Sequence, residues 1–530
     1  MNNIAGVRRW GPIAAYFGAW TLLAHWYWNL LNPDTVSYFS IAHHYLRGEW
    51  REAVNTGWSP MSSWLMVPLA GLGMPDVAAM RIFTALSGGL TLYAVDKLAE
   101  DFELRPGWRL AAMYTAAGMV LAYSLLRLGP DLLEAALLLL YTRVVIRRDY
   151  ATGGRGAVAG AWGAAAFLTK GYALYFFLGH FALMHLLHAW REPSEAARVR
   201  RQWAVGMTLF LILSAPWVIA MSYKAGHLSA GTTGAWNFRL VGPESPGYPQ
   251  YFGLIPPPGP HGSSMWEEPE PALLPKWNPL ASPREVKHQI RLILANVRES
   301  IRLVLYTSLL IPVAILAYVI WGFRKGASTL VPWILPVATI LVYPAGYLLI
   351  VIVDRYFWNV FLLILLLGAM AFQAVAARIP RLPGALLMSA YFLSFLALPT
   401  RMMMVQAKDT QQRWAEIAAQ IQRQAPGLSG RLAGCGGWND GVQIAWSLGM
   451  PFYGETGPTA EELTVRDQLN PSAQGTPQPI PGQEEIAHQL KRYRVDYFLA
   501  LPACVRIPDA VQSATSIVDW QGTRLYRLQQ

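Results

Sequence analysis

The chain has 530 residues, 54% of them hydrophobic and only 14% charged. A soluble protein carries about a quarter charged residues, and apolar stretches near the ~20-residue bilayer length recur through most of this one. A soluble enzyme is excluded and an α-helical polytopic membrane protein is predicted. The net charge of +11 does not call for a nucleic acid partner, because the basic residues gather at alternate loops.

Arg8 and Arg9 precede the first apolar segment, residues 11–31. That segment is longer than a signal-peptide core and lacks a small-residue cleavage site, so it is expected to stay as an anchor. Residues 32–75 form a first outer loop, opening with NPDTVSYFSIAHHYLRGEW. This stretch sets Asp34 at the membrane exit, ahead of what reads as a surface helix. Further spans are predicted at 76–96, 109–127, 131–147, 156–169, 171–190 and 203–222. Gly156 and Gly160 make a small-xxx-small packing face in the short fifth span. A second outer loop, 222–302, contains PGYPQYFGLIPPPGPHGSSMWEEPEP, whose prolines prevent regular helix. It reads as a lid carrying Trp236, Trp266 and Trp277, either closing over an acceptor or anchoring at the interface. NPLASPREVKHQIRLILANVRESIRLVLY then returns as an amphipathic helix lying on the surface. Spans at 303–322, 329–350, 356–376 and 384–400 follow, about eleven in all.

Lys97, Arg105 and Arg109 lie after the second span, and Arg147, Arg148 and Arg155 after the fourth. Arg191, Arg198, Arg200 and Arg201 follow the sixth, Arg324 and Lys325 the eighth, and Arg378 and Arg381 the tenth. This is the positive-inside pattern. It predicts a protein of the inner or plasma membrane with a cytoplasmic N-terminus and, from an odd number of crossings, an outer C-terminus.

Residues 1–400 thus form a transmembrane module and residues 401–530 an extracytoplasmic α/β domain. In the latter, WAEIAAQIQRQAPGLSG reads as a helix, IAHQLKRYRVDYFLAL as a helix followed by a strand, and TRLYRLQQ as a final strand. Cys435 and Cys504 both fall here. On an oxidising face they could pair; two buried thiols are the other reading.

Carboxylates near a membrane interior are costly unless they face water or a partner. The outer boundary holds Asp34, then Asp131 and Glu134 in RLGPDLLEAALLLL, and Asp354 in VIVDRYFWNV. Arg127, Lys170 in FLTKGYALYF, and Arg355 lie on the same side. Turns far apart in sequence therefore bring acids and bases to one membrane face. The other reading is that each merely marks where a helix leaves the lipid. His43 and His44 point about 100° apart on a helix and make a poor ligand pair; His185 and His188 read as packing residues.

PDTVSYFSIAHHYLRGEW, followed by WSPMSSWLMVPLAGLG, MRIFTALSGGL, RLGPDLLEAALL and DRYFWNVFLLILLLGAM in that order, resembles the GT-C type of polytopic glycosyltransferase. The likeness is greatest to bacterial relatives of protein O-mannosyltransferases and of the aminoarabinose transferase that modifies lipid A. The tail's GGWND is not the WWDYG motif of oligosaccharyltransferases, and NPDTVS has one acid where several relatives carry a pair. The resemblance implies a polyprenyl-phosphate-linked sugar as donor and a glycan, lipid or protein hydroxyl as acceptor, with no nucleic acid. It maps the catalytic acid to Asp34, the acid of the second outer turn to Asp131, and the turn near the lipid phosphate to Arg355 and Tyr356. Asp34 would be the general base, and Lys170 and Arg355 would hold the leaving phosphate. Asp131 would orient the acceptor, position a basic partner or bind a metal; Glu134, Arg127 and Asp354 are supporting candidates. Asp34, Asp131 and Glu134 could supply oxygens to a divalent metal, though no cofactor is required. A single base and in-line displacement predict inversion. A transporter or flippase and a non-enzymatic envelope assembly protein are the competing classes. The enzyme reading needs Asp34, Asp131, Lys170 and Arg355 around one outward cavity.

Overall fold

A computed structural model describes residues 2–325, 327–407, 412–469 and 480–529. The side chains of Arg8, Arg9, Arg324 and Lys325 lie outside what is described. Six helices in the described residues are long and apolar enough to cross a membrane: Asp76–Asp101, Pro106–Leu126, Tyr172–Arg191, Pro193–Ala225, Asp354–Ala376 and Arg381–Gln406. The protein is a multi-pass membrane protein. Two other predicted spans are the 15-residue helices Asp131–Val145 and Arg155–Thr169. Each rises about 22 Å, short of the ~30 Å hydrocarbon core, and Asp131–Val145 is buried over most of its length among longer neighbours.

Gly156 and Gly160 let the Arg155–Thr169 helix lie against the long Pro193–Ala225 helix. A Cβ at either position would run into backbone of Gln202 or Gly206, so close approach of two helix axes depends on their absence.

The first helix, Asn2–Leu23, ends before the predicted limit and passes through a 3-10 turn at Ala24–Tyr27. Arg81, fully buried in Asp76–Asp101, pins the segment that follows. It donates to the carbonyls of Trp28 and Leu30, each at 3.2 Å, to that of Tyr27, and to Leu125 O at 2.7 Å. Asn32 then caps the helix Pro33–Arg47, its Oδ1 accepting from Thr35 N at 2.9 Å. Asn at the cap, Pro at the first helical position and an acid in the first turn suit a helix start.

That helix is not a surface helix, contrary to expectation. Val36, Phe39, Ile41 and Ala42 are buried, and so are Thr35, Ser37 and Ser40. It is enclosed by the Met61–Gly71 helix, by the second outer loop and by the C-terminal segment. Ser63 Oγ donates to Tyr38 O, and Ser37 Oγ donates to Trp266 O.

The C-terminal segment supplies five strands of a six-stranded sheet: β2 Leu432–Cys435, β3 Phe452–Glu455, β4 Tyr497–Ala500, β5 Thr515–Trp520 and β6 Thr523–Arg527. The sixth, β1 Gly253–Leu254, comes from the proline-rich loop and pairs antiparallel with β3. The order is β1-β3-β2-β4-β6-β5, with β2 parallel to both β3 and β4. Helices Arg413–Gln424, Trp438–Ser447 and Gln483–Arg492 accompany it. Cys435 and Cys504 are joined in a disulfide. Trp446 lies edge-on to His43 with ring centroids 5.6 Å apart, and Trp414 Nε1 donates to Asn29 O at 2.8 Å. The sheet and its helices therefore sit directly on the segment that carries Asp34.

Candidate active site

Four turns meet at the start of the Pro33–Arg47 helix. Asp34 lies in its first turn. Asp131 opens Asp131–Val145, and Glu134, three residues on, shares its face. Lys170 ends Arg155–Thr169 in an extended conformation. Arg355 and Tyr356 lie in the 3-10 turn Asp354–Phe357.

The side chains form one continuous run of alternating charge. Arg355 donates through one Nη to Asp34 Oδ2 at 3.0 Å, while its other Nη lies 3.7 Å from Asp131 Oδ2. Lys170 Nζ donates to Asp131 Oδ1 at 2.7 Å and lies 3.3 Å from Glu134 Oε2. The Lys170 ammonium sits 4.1 Å from the centroid of the Tyr356 ring, a cation–π distance. Tyr356 stacks on Tyr347 at 4.3 Å, and Tyr347 on Tyr172 at 3.6 Å. An aromatic wall thus backs the two cations.

Exposure divides the run. The Asp131 and Glu134 side chains are 5% and 2% exposed, whereas Asp34, Lys170 and Arg355 are 17%, 19% and 23% exposed. The inner acids serve the cations; the outer three remain reachable. Arg355 Nε is buried without a hydrogen-bond partner among the described residues.

Trp266 reaches this site from the proline-rich loop, its Nε1 donating to Asp34 Oδ1 at 2.8 Å. Its own carbonyl accepts from Trp58 Nε1 at 3.0 Å. Trp236 and Trp438 lie edge-on to it at 5.8 and 5.9 Å. Trp438, from the tail's GGWND, therefore belongs to the same aromatic enclosure. Trp277 is elsewhere, stacked on Phe238 at 4.6 Å. The sequence marked Trp266 only as one of three lid tryptophans, and nothing in its local pattern singled it out.

Two supporting candidates stay apart. Arg127 is exposed at the end of Pro106–Leu126 and makes no ion pair among the described residues. Asp354 likewise makes no ion pair there and lies near Tyr123. Asp354 is adjacent to Arg355 in the chain but stays out of the charge run, because the 3-10 turn directs neighbouring side chains differently. The metal arrangement is also not seen. Among the described residues no three acid, histidine or cysteine side chains converge: Arg355 lies between Asp34 and Asp131, and Lys170 between Asp131 and Glu134. Two surface grooves, one by Leu396 and Thr400 and one by Val286 and Ile290, both lie away from this cluster. Converging charge, not the shape of a cavity, marks the site.

A second buried network occupies the other end of the same helix. His44 bonds Glu267 Oε1 through Nε2 at 2.7 Å and Glu49 Oε2 through Nδ1 at 2.6 Å. Glu267 Oε2 accepts from Ser263 N at 2.8 Å, and its carbonyl from Asn55 Nδ2 at 2.7 Å. Burial opposes charge on His44, but Glu267 and Glu49 outweigh it and hold His44 above the usual histidine value. Hydrogen bonding from His44, with Arg47, pulls Glu49 down to about 2. Beside this network, Glu268 accepts from Lys224 Nζ at 2.7 Å and Thr56 N at 3.0 Å. Trp266 is thereby held on Asp34 by the residues that follow it.

No protein-family model matches the sequence, and no curated protein matches it either. Solved structures do resemble it. The crystal structure of ArnT from Cupriavidus metallidurans bound to undecaprenyl phosphate aligns over 98% of each chain with a TM-score of 0.56 at 14% identity. The same protein in its apo state aligns over 97% of each chain with a TM-score of 0.55 at 14% identity. Over nearly its whole length, membrane helices and C-terminal sheet together, the chain has the GT-C fold.

Proposed function

We propose that the protein is a glycosyltransferase that moves a sugar from a polyprenyl-phosphate carrier to an acceptor hydroxyl on the outer membrane face, inverting the anomeric carbon. The observation that carries this reading is the partly exposed triad of Asp34, Arg355 and Lys170, joined through Asp131 where four helix ends meet. It is supported by the fold shared with ArnT, whose crystal structure holds undecaprenyl phosphate.

The donor has its prenyl chain in lipid and its phosphosugar in water, so chemistry on it belongs at a helix end. Asp34 accepts two hydrogen bonds, which leaves lone pairs for an acceptor hydroxyl. As the hydroxyl oxygen bonds to the anomeric carbon, Asp34 takes its proton. The bond from that carbon to the phosphate oxygen breaks, and its electron pair leaves with the phosphate. No acid is needed for so good a leaving group, but its charge must be held. Arg355 supplies a planar fork and Lys170 a compact charge. Arg355 is hydrogen-bonded to Asp34 Oδ2; an incoming phosphate draws the guanidinium over and frees that oxygen for the acceptor hydroxyl. Donor binding thus readies the base.

The test uses membranes containing the full-length protein, supplied with lipid-linked sugar donors and candidate acceptors. Transfer should be detected for one donor and lost with Asp34→Asn. Near-normal transfer by that variant would remove Asp34 from the role of base.

A further inference from the structure

The helix Pro283–Thr307 has three faces of different chemistry. One is packed on the protein: His288, Leu292 and Asn296 are buried. Asn296 Nδ2 donates to the carbonyls of Leu348 at 3.0 Å and Ile350 at 3.1 Å, beside the Tyr347 that backs the active-site cations. A second face carries Val286, Ile290, Leu294, Val297 and Ile301, all between 36% and 63% exposed. At 3.6 residues per turn these five share an arc of about 80°. The third face holds Arg284, Lys287, Arg291, Arg298 and Arg302, all exposed, on the adjoining arc of about 60°.

Lys287, Arg291 and Arg298 make no ion pair among the described residues; Arg302 pairs with Glu299, and Arg284 lies 3.9 Å from Glu244. The helix meets the next apolar helix, Ile311–Ile320, at 95°. If the second crosses the bilayer, the first lies along its surface. In that pose the apolar stripe enters the acyl boundary and the cations stand at headgroup level, their stems along the interface. The positive-inside rule does not account for five cations here, because this loop is on the outer side in the orientation proposed above.

We infer that Pro283–Thr307 is a docking surface for anionic phospholipid of the outer leaflet, with the row of cations running about 27 Å along the headgroup phosphates. This rests on the proposed orientation but not on the identity of the transferred sugar. It is distinct from the donor site, whose cations are Arg355 and Lys170.

The experiment places full-length protein in phosphatidylcholine bilayers containing a minor fraction of spin-labelled phosphatidylglycerol and measures the immobilised, protein-associated lipid. Phosphatidylglycerol should be preferred over labelled phosphatidylcholine, and the preference should shrink at high salt. Lys287→Gln, Arg291→Gln and Arg298→Gln combined should lower it at least about fivefold, one cation's share at an anionic surface. These side chains are exposed, and an unchanged size-exclusion profile checks that the variant folds. Equal preference in the variant and the parent protein overturns the inference. So does a variant that keeps its phosphatidylglycerol preference but binds undecaprenyl phosphate more weakly in pure phosphatidylcholine, because the row would then serve the donor. Loss of lipid preference with transfer intact in phosphatidylcholine supports it independently of the catalytic reading.

Discussion

The helix Pro33–Arg47 carries buried charge at both ends, and the two ends are built differently. At the far end, His44 is fully buried, both its ring nitrogens are bonded to carboxylates, and both oxygens of Glu267 are used. At the near end, Asp34, Arg355 and Lys170 keep about a fifth of their surface, and Arg355 Nε has no partner among the described residues. A network whose inner pair, His44 and Glu267, is buried and fully bonded is suited to holding the second outer loop in place. An incompletely paired one can exchange its partners for a substrate. In the proposed function this difference separates a fastening from a site, although each network is anchored on one end of the same helix.

Four measurements test that separation. The largest effect is expected from Asp34→Asn: transfer should fall by about 10²–10⁴-fold, the usual share of a general base, with the thermal midpoint nearly unchanged. His44→Ala should do the reverse, destabilising by about 3–5 kcal/mol because Glu267 is left buried and unpaired, while transfer per folded molecule stays close to normal. A stable but inactive His44→Ala protein would show that the two networks are one site. Arg355→Lys keeps the charge and removes the fork; donor affinity should drop roughly 10- to 100-fold, as for loss of a charged hydrogen bond. Titrating undecaprenyl phosphate as a competitor measures this, and an unchanged inhibition constant would place the phosphate elsewhere.

The smallest effect concerns pH. His44 has a raised value in the fold, so its contribution is complete below about 6.5, the unfolded value, and is lost as pH rises through the raised one. Glu49 is lowered to about 2, so its contribution is present above about 4.3 and is lost only as pH falls toward 2. Protease resistance of the 222–302 loop should therefore be greatest in mildly acid solution and decline toward alkaline pH. Equal cleavage rates across that range would mean that His44 does not fasten the loop.

Much of the architecture was legible from pattern. Hydropathy located the long helices, GxxxG marked a close helix contact, and RVDYFLAL and TRLYRLQQ marked β4 and β6. The Asp34 helix was misread as a surface element because its sequence mixes Thr, Ser and His with apolar residues. Thr35, Ser37 and His44 are satisfied by backbone carbonyls and an acid contributed by other segments: Leu128 O, Trp266 O and Glu267. β1 was missed because two residues of a proline-rich loop carry no strand pattern, and only pairing with β3 makes them a strand.

Composition, hydropathy and the sparing placement of acids at helix ends were enough to show a polytopic membrane protein with candidate charges at its boundary, because the cost of polar groups in lipid is paid locally, residue by residue. Which charges meet could not be read that way. Arg355 joins Asp34 across more than three hundred residues while Asp354, its immediate neighbour, does not, since partnership depends on the direction of a side chain at the end of a packed helix. The same holds for Trp266, which reaches Asp34 because Trp58 and Ser37 bond its carbonyl and His44 and Asn55 secure the residue beside it.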